Sequence, residues 1–352
     1  MKDIALQEDG IKHDLYPFAL IRHASEIRVG ILTIREKWEY TLNQPVSLLN
    51  QKMQSKNNVL ELPANIIPSK AIAASIVGID NETTPVFNTK HYRLIQYPWH
   101  ISQINDWALR EDFELLTAGR TSADIPSKVQ AINPENIFIE EEADLSTCIL
   151  NASSGPIYIG KNAVVMEGAT IRGPFALCEG AVVKMGTRIY GATTIGPYSM
   201  VGGEIKNSVI FGYSNKAHDG YLGDAVIGEW CNLGAGTSNS NLKNNLGNVK
   251  VWNPIKGQFA AAGMKCGMFM GDYSRSAINT SFNSGALIGI CSHVFGEGLT
   301  PAFIPDFSWG FKPVAKYELE KAIRDIRNWK QLKGKTLSEE EINQLKLIFN
   351  QS

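Results

Sequence analysis

From Ile159 to Val201 an aliphatic residue returns at every sixth position: Ile159, Val165, Ile171, Leu177, Val183, Ile189, Ile195 and Val201. A helix repeats near 3.6 residues and a half-buried strand repeats at 2, so neither writes this pattern. Shorter runs follow at Tyr221, Ile227 and Leu233, and then at Met264, Met270, Ser276, Phe282, Ile288 and Val294. The next residue is often glycine, as at Gly160, Gly196, Gly228, Gly234, Gly271 and Gly289, and a small residue recurs at +4, as at Ala163, Ala169, Ala181, Thr187 and Thr193. Such a chain is driven to form a prism. One large side chain per six residues points inward, a small residue lets the backbone turn, three flat faces close a coil, and stacked coils pair their strands in parallel. A left-handed parallel β-helix of hexapeptide repeats is therefore expected over about 137–310.

The period breaks at Ile205–Gly220 and again in the polar stretch Ser240–Pro254, and both are expected to leave the prism as edge loops. Insertions of that kind gather on one face of a solenoid and carry binding sites. Before the prism, apolar stretches at Phe18–Ile21, Val46–Leu49 and Ala71–Val77 alternate with helix-like segments at Ile31–Tyr40 and His100–Leu116. That alternation predicts a short α/β domain with a mainly parallel sheet. The divisions expected are 1–130 for this domain, 131–310 for the β-helix and 311–352 for a helical tail. In the tail, helices are expected over 313–333, with Pro313 in the first turn, and over 338–350, where Ser338 and Glu341 make a capping box. Leu319, Ile323, Ile326 and Trp329 form an apolar stripe suited to packing on the prism's end or on a neighbouring subunit.

Composition narrows the function. Lys+Arg number 34 and Asp+Glu 35, a net charge of −1 that lacks the basic excess of a nucleic-acid coat. The polar opening MKDIALQEDG is no signal peptide, and no apolar run nears the roughly 20 residues that span a bilayer, so the chain is expected in the cytoplasm with neither membrane nor nucleic acid as partner. The five cysteines show no metal-binding or disulfide spacing, and no metal ligands are assigned.

The richest constellation is Asn215–Asp224, NKAHDGYLGD, where the period breaks. Histidine's pKa near 6.5 lets His218 accept a proton at neutral pH, as amine acylation requires. A lone histidine is usually a surface or packing residue, but this one lies beside hydroxyl and amide groups (Tyr221, Asn232, Asn239, Asn241), with Lys206 and Lys216 available for a phosphate. Asn279, within a strong repeat, is read as an asparagine ladder inside a coil. Lys333–Thr336 (KGKT) lacks the earlier glycine of a phosphate-binding loop and is set aside.

KAHDGYLGDAVIGEWCNLGAGTSNSN resembles the acetyltransferase half of the bifunctional glucosamine-1-phosphate acetyltransferase/N-acetylglucosamine-1-phosphate uridyltransferase family. His218 stands three residues before Tyr221, followed by Leu222–Ala225, Asn232, Gly234–Thr237 and Asn241, while Glu204–Lys206 in EIKNS is similar to the family's EMKK segment. The resemblance implies His218 as general base, Tyr221 and Lys206 as phosphate contacts, and Asn232 and Asn241 as groups that position the sugar. RxxxEIRVGILTIREKW, YPWHISQINDWALREDF, GDYSRSAINTSFNSGALIG and FIPDFSWG extend it over nearly the whole chain, as a variant with a shortened nucleotidyltransferase-like domain. That family implies a homotrimer that binds acetyl-CoA between adjacent prisms and an amino-sugar phosphate as acceptor, with a turn N–H holding the oxyanion.

For the first domain the resemblance implies an NTP and Mg2+. The opening lacks the Gly-rich LxxGxGTRM loop that cradles nucleotide phosphates, and His23 follows Arg22 where proline is usual. Arg22, Arg28 and Arg35 could bind a triphosphate bidentately or could be helix-surface charges. Three readings follow: acyl transfer to an amino-sugar phosphate, sugar-1-phosphate nucleotidyl transfer with the prism as trimerisation scaffold, and a non-catalytic structural protein.

Overall fold

The computed structural model describes residues 3–49, 59–70, 72 and 92–352. The period of six becomes a prism of three sheets of nine, ten and six strands, parallel throughout except where Ala315–Lys316 closes the ten-stranded sheet antiparallel to Ser308–Trp309. Its first face is built from strands such as Phe175–Leu177, Thr193–Ile195, Val226–Ile227 and Phe269–Met270, and its second from strands such as Val182–Val183 and Asn232–Leu233. The third carries Thr170–Arg172, Arg188–Tyr190, Glu204–Lys206 and Tyr221–Gly223. Ile159, Val165, Ile171, Leu177, Val183, Ile189, Ile195 and Val201 all point into one apolar core. Each such side chain contributes roughly 1.5–3 kcal/mol by leaving water. The five cysteines are free and buried.

Several details of register depart from the expectation. Ile205–Gly220 stays in the prism: Ile189 pairs with Ile205, Ile195 with Ile210 and Val201 with Lys216, so the coil shortens instead of looping out. The inward residue of the next coil is Leu222, which pairs with Ile205 and is buried, while Tyr221 beside it faces outward. Met264 is half exposed and precedes the resumed period, whereas Met270, Ser276, Phe282, Ile288 and Val294 keep it. Asn279 lies exposed at a corner with φ of 56°, and the asparagine that faces inward is Asn239, whose amide bridges the Gly223 N–H (2.8 Å) and carbonyl (2.9 Å). The stretch after Ser240 does leave the prism, as an antiparallel hairpin of Val249–Asn253 and Gln258–Gly263.

The first segment forms a parallel sheet in which β1 (Asp3–Gln7) lies between β2 (Ser47–Leu49) and β3 (Val59–Pro63), with β4 (Ile66–Pro68) and β5 (Tyr92–Leu94) paired antiparallel. Helix α1 (Ile34–Leu42) opens on a Thr33/Glu36 capping box. The expected helix from His100 is two, α2 (Pro98–Gln103) and α3 (Asn105–Thr117). The stretch Ala71–Val77 lies outside the described residues except for Ile72, which is buried. This segment completes its core on the prism. Ile4, Leu6, Phe18 and Trp38 share one apolar cluster with Val209, Val226, Phe269 and Leu287, the outward positions of the first face. Polar ties lock the docking: Gly30 N–H donates to Asn105 Oδ1 (2.7 Å), and Asn105 Nδ2 donates to the Ala192 carbonyl (3.0 Å).

The tail forms α4 (Leu319–Leu332) and α5 (Glu339–Gln351), the latter with the expected Ser338/Glu341 capping box. Pro313 precedes α4 and lies outside it. Ile326 and Ala322 pack on Trp230, Tyr273 and Phe307, so the helices cover the prism's flank along one corner. At that corner Tyr198, Tyr213 and Trp230 adopt φ near 60° and stack, with centroids 5.3 and 4.3 Å apart.

Candidate functional site

With the first face covered by the N-terminal segment and part of the second by the tail, the third face holds the exposed polar side chains. Its strands read TIR, RIY and EIK, each with an isoleucine inward and polar neighbours outward. In register, Arg172, Tyr190 and Lys206 form one outward column, followed by Gly223. Lys206 Nζ lies 5.5 Å from the centre of the Tyr190 ring, and Tyr190 OH donates to Glu204 Oε1 at 2.6 Å.

The column opens into a cleft of about 580 Å3 that Lys265 and Asp224 also line, beside a groove of about 430 Å3 along the third face. Arg172, Lys206 and Lys265 form no ion pair with any described residue. An unpaired cluster of three cations suits a phosphate dianion. Asn241 donates to the Tyr221 hydroxyl (3.0 Å) and to Asp224 (2.5 Å), and Asn207 donates to the other Asp224 oxygen (3.3 Å). Burial, with Asp224 nearby, pushes the Tyr221 phenol up to about 12, so it remains a neutral donor.

Tyr221 opens its strand opposite Glu204, but its ring runs along the face so that its hydroxyl lies over Gly223, beside Asn241 and at the Lys206 end of the third-face strands. His218 stands at the other end, exposed on the corner before Tyr221, with an imidazole that makes no hydrogen bond to a described residue. Gly220 makes that corner: its φ is +122°, and a Cβ there would overlap the Thr237 carbonyl oxygen. Asn232 points from the second face, where it accepts a long 3.5 Å bond from Asn215 and neighbours Arg275.

Lys216 is not available to a phosphate. It occupies an inward position paired with Val201, is 2% exposed, and donates to the Gly202 carbonyl (3.2 Å) and to that of His218. Burial pushes its pKa down to about 8 from 10.5, against the pull of Asp219. Between those values the unfolded chain holds the extra proton, so stability rises with pH; below pH 8 both states are protonated and the cost, about 3 kcal/mol, is fully present. Lys216→Met is therefore expected to compare most favourably with the parent near pH 7, losing up to about 3 kcal/mol of that standing by pH 10.5. Denaturant unfolding at both pH values checks this, and a difference that ignores pH would refute it.

The three N-terminal arginines are engaged within the chain. Arg22 reaches Asp272 (2.8 Å) and Glu229 (3.3 Å) on the prism. Arg28 donates to the Ile31 carbonyl and lies 3.8 Å from Glu36, while Arg35 pairs with Glu26 (2.5 Å) and Glu39 (2.7 Å). Among the described residues no three His, Cys, Asp or Glu side chains are placed to hold a metal ion, and no described helix is long and apolar enough to cross a membrane.

Sequence reasoning missed Arg172, Tyr190 and Lys265, and gave Asp224, which closes the constellation it singled out, no role of its own. A signal for the first two was present: each directly follows an inward isoleucine, as Lys206 does.

Residues 4–90 match the family model described as "Sugar nucleotidyl transferase". The chain is 29% identical over 224 residues to a bifunctional sugar-1-phosphate nucleotidylyltransferase/acetyltransferase of Sulfurisphaera tokodaii, across 63% of this chain and 49% of that protein. It is 30% identical over 192 residues to a bifunctional protein GlmU of Methanocaldococcus jannaschii (54% and 40%), and 36% identical over 109 residues to one of Methanococcus maripaludis (31% and 26%). The chain spans about half or less of the length of these relatives. A UDP-N-acetylglucosamine acyltransferase structure from Francisella novicida aligns at a TM-score of 0.35 and 12% identity, over 66% of this chain and 78% of that one, too slight a likeness to argue from. Over part of its length the chain is thus similar to bifunctional sugar-1-phosphate nucleotidylyltransferase/acetyltransferases, and residues 4–90 match the sugar nucleotidyl transferase model.

Proposed function

We propose that the prism transfers an acyl group from acyl-CoA, acetyl-CoA in the first instance, to the amine of an amino-sugar phosphate. The observation that carries this reading is the cleft in which Arg172, Lys206 and Lys265 stand without carboxylate partners beside the Tyr221–Asn241–Asp224 network. The three-residue strand from Tyr221 to Gly223 spans about 10 Å, so an acceptor with its phosphate at Lys206 extends along the face toward His218.

In this mechanism His218 takes a proton from the acceptor nitrogen as that nitrogen attacks the thioester carbonyl. The tetrahedral intermediate collapses, the carbon–sulfur bond breaks, and the departing thiolate receives the proton from His218. The products are an N-acyl sugar phosphate and free coenzyme A. Tyr221 and Asn241 orient the sugar. Asn232, pointing from the second face, is left for the acyl donor or for a neighbouring prism. The open third face suits assembly as a homotrimer, in which the neighbour closes the groove. The expected working place of such chemistry is the cytoplasm.

Release of free coenzyme A from acetyl-CoA, with glucosamine 1-phosphate as acceptor, tests the reading. Turnover that saturates with the sugar phosphate, and fails with the unphosphorylated sugar, is expected; turnover indifferent to the phosphate would overturn it.

The match of residues 4–90 to the sugar nucleotidyl transferase pattern favours nucleotidyl transfer as a second reading. Calorimetric titration of UTP with Mg2+ into the intact chain separates the two, since NTP binding has no part in the acyl-transfer mechanism.

A further inference from the structure

The cleft that holds Lys206 has two walls, and only one belongs to the prism. Ser102 and Gln103 at the end of α2 and Asp106 in the first turn of α3 form the other. These helices are fixed to the prism within the wall itself. Asn105, wholly buried between Gln103 and Asp106, donates to the Ala192 carbonyl (3.0 Å) and to Thr194 Oγ1 (3.2 Å), and Ala192 is itself a lining residue. Gln103 Nε2 donates to the Ala262 carbonyl of the hairpin at 2.8 Å, which leaves its amide oxygen free to accept.

The walls differ in charge. The prism side presents Arg172, Lys206 and Lys265 with one carboxylate, Asp224, whose oxygens are held by Asn207 and Asn241, while the helix side presents the Asp106 carboxylate and the Gln103 amide. Asp106 is half exposed and its one described partner is Arg110 on the next turn, which donates to Oδ1 at 2.7 Å and to Oδ2 at a long 3.4 Å. A phosphate is drawn to the first wall, and sugar hydroxyls, which donate, are drawn to the acceptors of the second.

We infer that the N-terminal segment is the specificity wall of the acceptor site: Gln103 and Asp106 receive hydroxyl groups of a hexosamine phosphate whose phosphate rests on the prism. This rests on the acyl-transfer reading for its substrate class. It gives the N-terminal segment a part in acceptor selection that nucleotidyl transfer does not require.

The test measures binding as well as turnover, on the intact chain. Glucosamine 1-phosphate, galactosamine 1-phosphate and inorganic phosphate are titrated calorimetrically into the parent, Asp106→Ala and Asp106→Trp, with Glu114→Trp as a control for a bulky substitution on α3 outside the cleft. Asp106→Ala is expected to weaken glucosamine 1-phosphate about 10-fold, the worth of a hydrogen bond to a charged group, and to change its preference over the galactosamine epimer. Inorganic phosphate should bind Asp106→Ala no more weakly than the parent, because Arg172, Lys206 and Lys265 are untouched and a carboxylate has left the cleft. Asp106→Trp should exclude both sugar phosphates, and Glu114→Trp neither. Sugar-phosphate affinities unchanged in both Asp106 variants would overturn the inference even if coenzyme A is released normally. So would a parent chain that binds neither sugar phosphate at millimolar concentration. Affinity lost in the Asp106 variants, in a chain that releases no coenzyme A, would uphold this wall while the acyl-transfer reading falls.

Discussion

Replacing His218 by alanine is expected to lower the rate of coenzyme A release roughly 10^2- to 10^4-fold, the usual contribution of a positioned general base. The loss should appear in kcat, with the KM for the sugar phosphate nearly unchanged, since the phosphate-binding cations lie at the far end of the third face. The change is clean by geometry. His218 is exposed on its corner, its imidazole has no hydrogen bond to a described residue, and Lys216 holds its backbone carbonyl, which alanine retains. Thermal unfolding should therefore coincide with that of the parent. Imidazole added in solution should restore part of the rate, an outcome that a structural role would not give. Full turnover in the variant would remove His218 from the mechanism and move the search for a base to the cleft, where Asp224 is the nearest carboxylate to Tyr221 and Asn241.

The β-helix was legible because its rule is rigid. A coil with a single inward row per face writes that row into the chain, and Ile159 through Val201 keep it without a slip. The rule fails where coils shorten. Closing Ile205–Gly220 with fewer residues shifts the inward row by one, turning Leu222 in and Tyr221 out and placing Lys216 in the interior. A lysine in such a row reads as a break, and only its pairing with Val201 shows otherwise. Docking of the N-terminal segment left a fainter trace. The first-face stretches FAL, AVI and MFM are apolar on both sides, whereas the third-face strands TIR, RIY and EIK alternate with polar residues. A strand apolar on both sides must be covered on both, so the covered face and the open one could have been told apart. What no pattern discloses is which distant residues meet there. Lys265 joins Lys206 across a hairpin insertion, and Asp106 faces them from another part of the chain.

Arg22 shows the same limit with a larger energetic consequence. From sequence its guanidinium suited either a triphosphate or a surface; in the fold it is a buried link between the N-terminal segment and the prism. It pairs at 2.8 Å with Asp272, which is wholly buried, lies 3.3 Å from Glu229, and stands 5.4 Å from the centre of the Phe211 ring. Removing one partner of such a pair costs about 3–5 kcal/mol, because the other is left charged and desolvated. Arg22→Ala is expected to destabilise the chain by that amount in denaturant unfolding. Burial already pushes the Asp272 carboxyl up to about 6 even though Arg22 pulls it down. Without Arg22 it rises further, so Asp272 is neutralised as the pH falls and the defect should be smaller at pH 5 than at pH 8. Arg22→Met combined with Asp272→Asn should recover most of the loss, since the one carboxylate left without its arginine, Glu229, is 39% exposed and stays solvated; the introduced amide keeps an oxygen for the Glu229 N–H, which Asp272 Oδ1 accepts at 2.6 Å in the parent. Were Arg22 a nucleotide ligand instead, its alanine variant would unfold like the parent and lose UTP affinity, the reverse of what the buried pair demands.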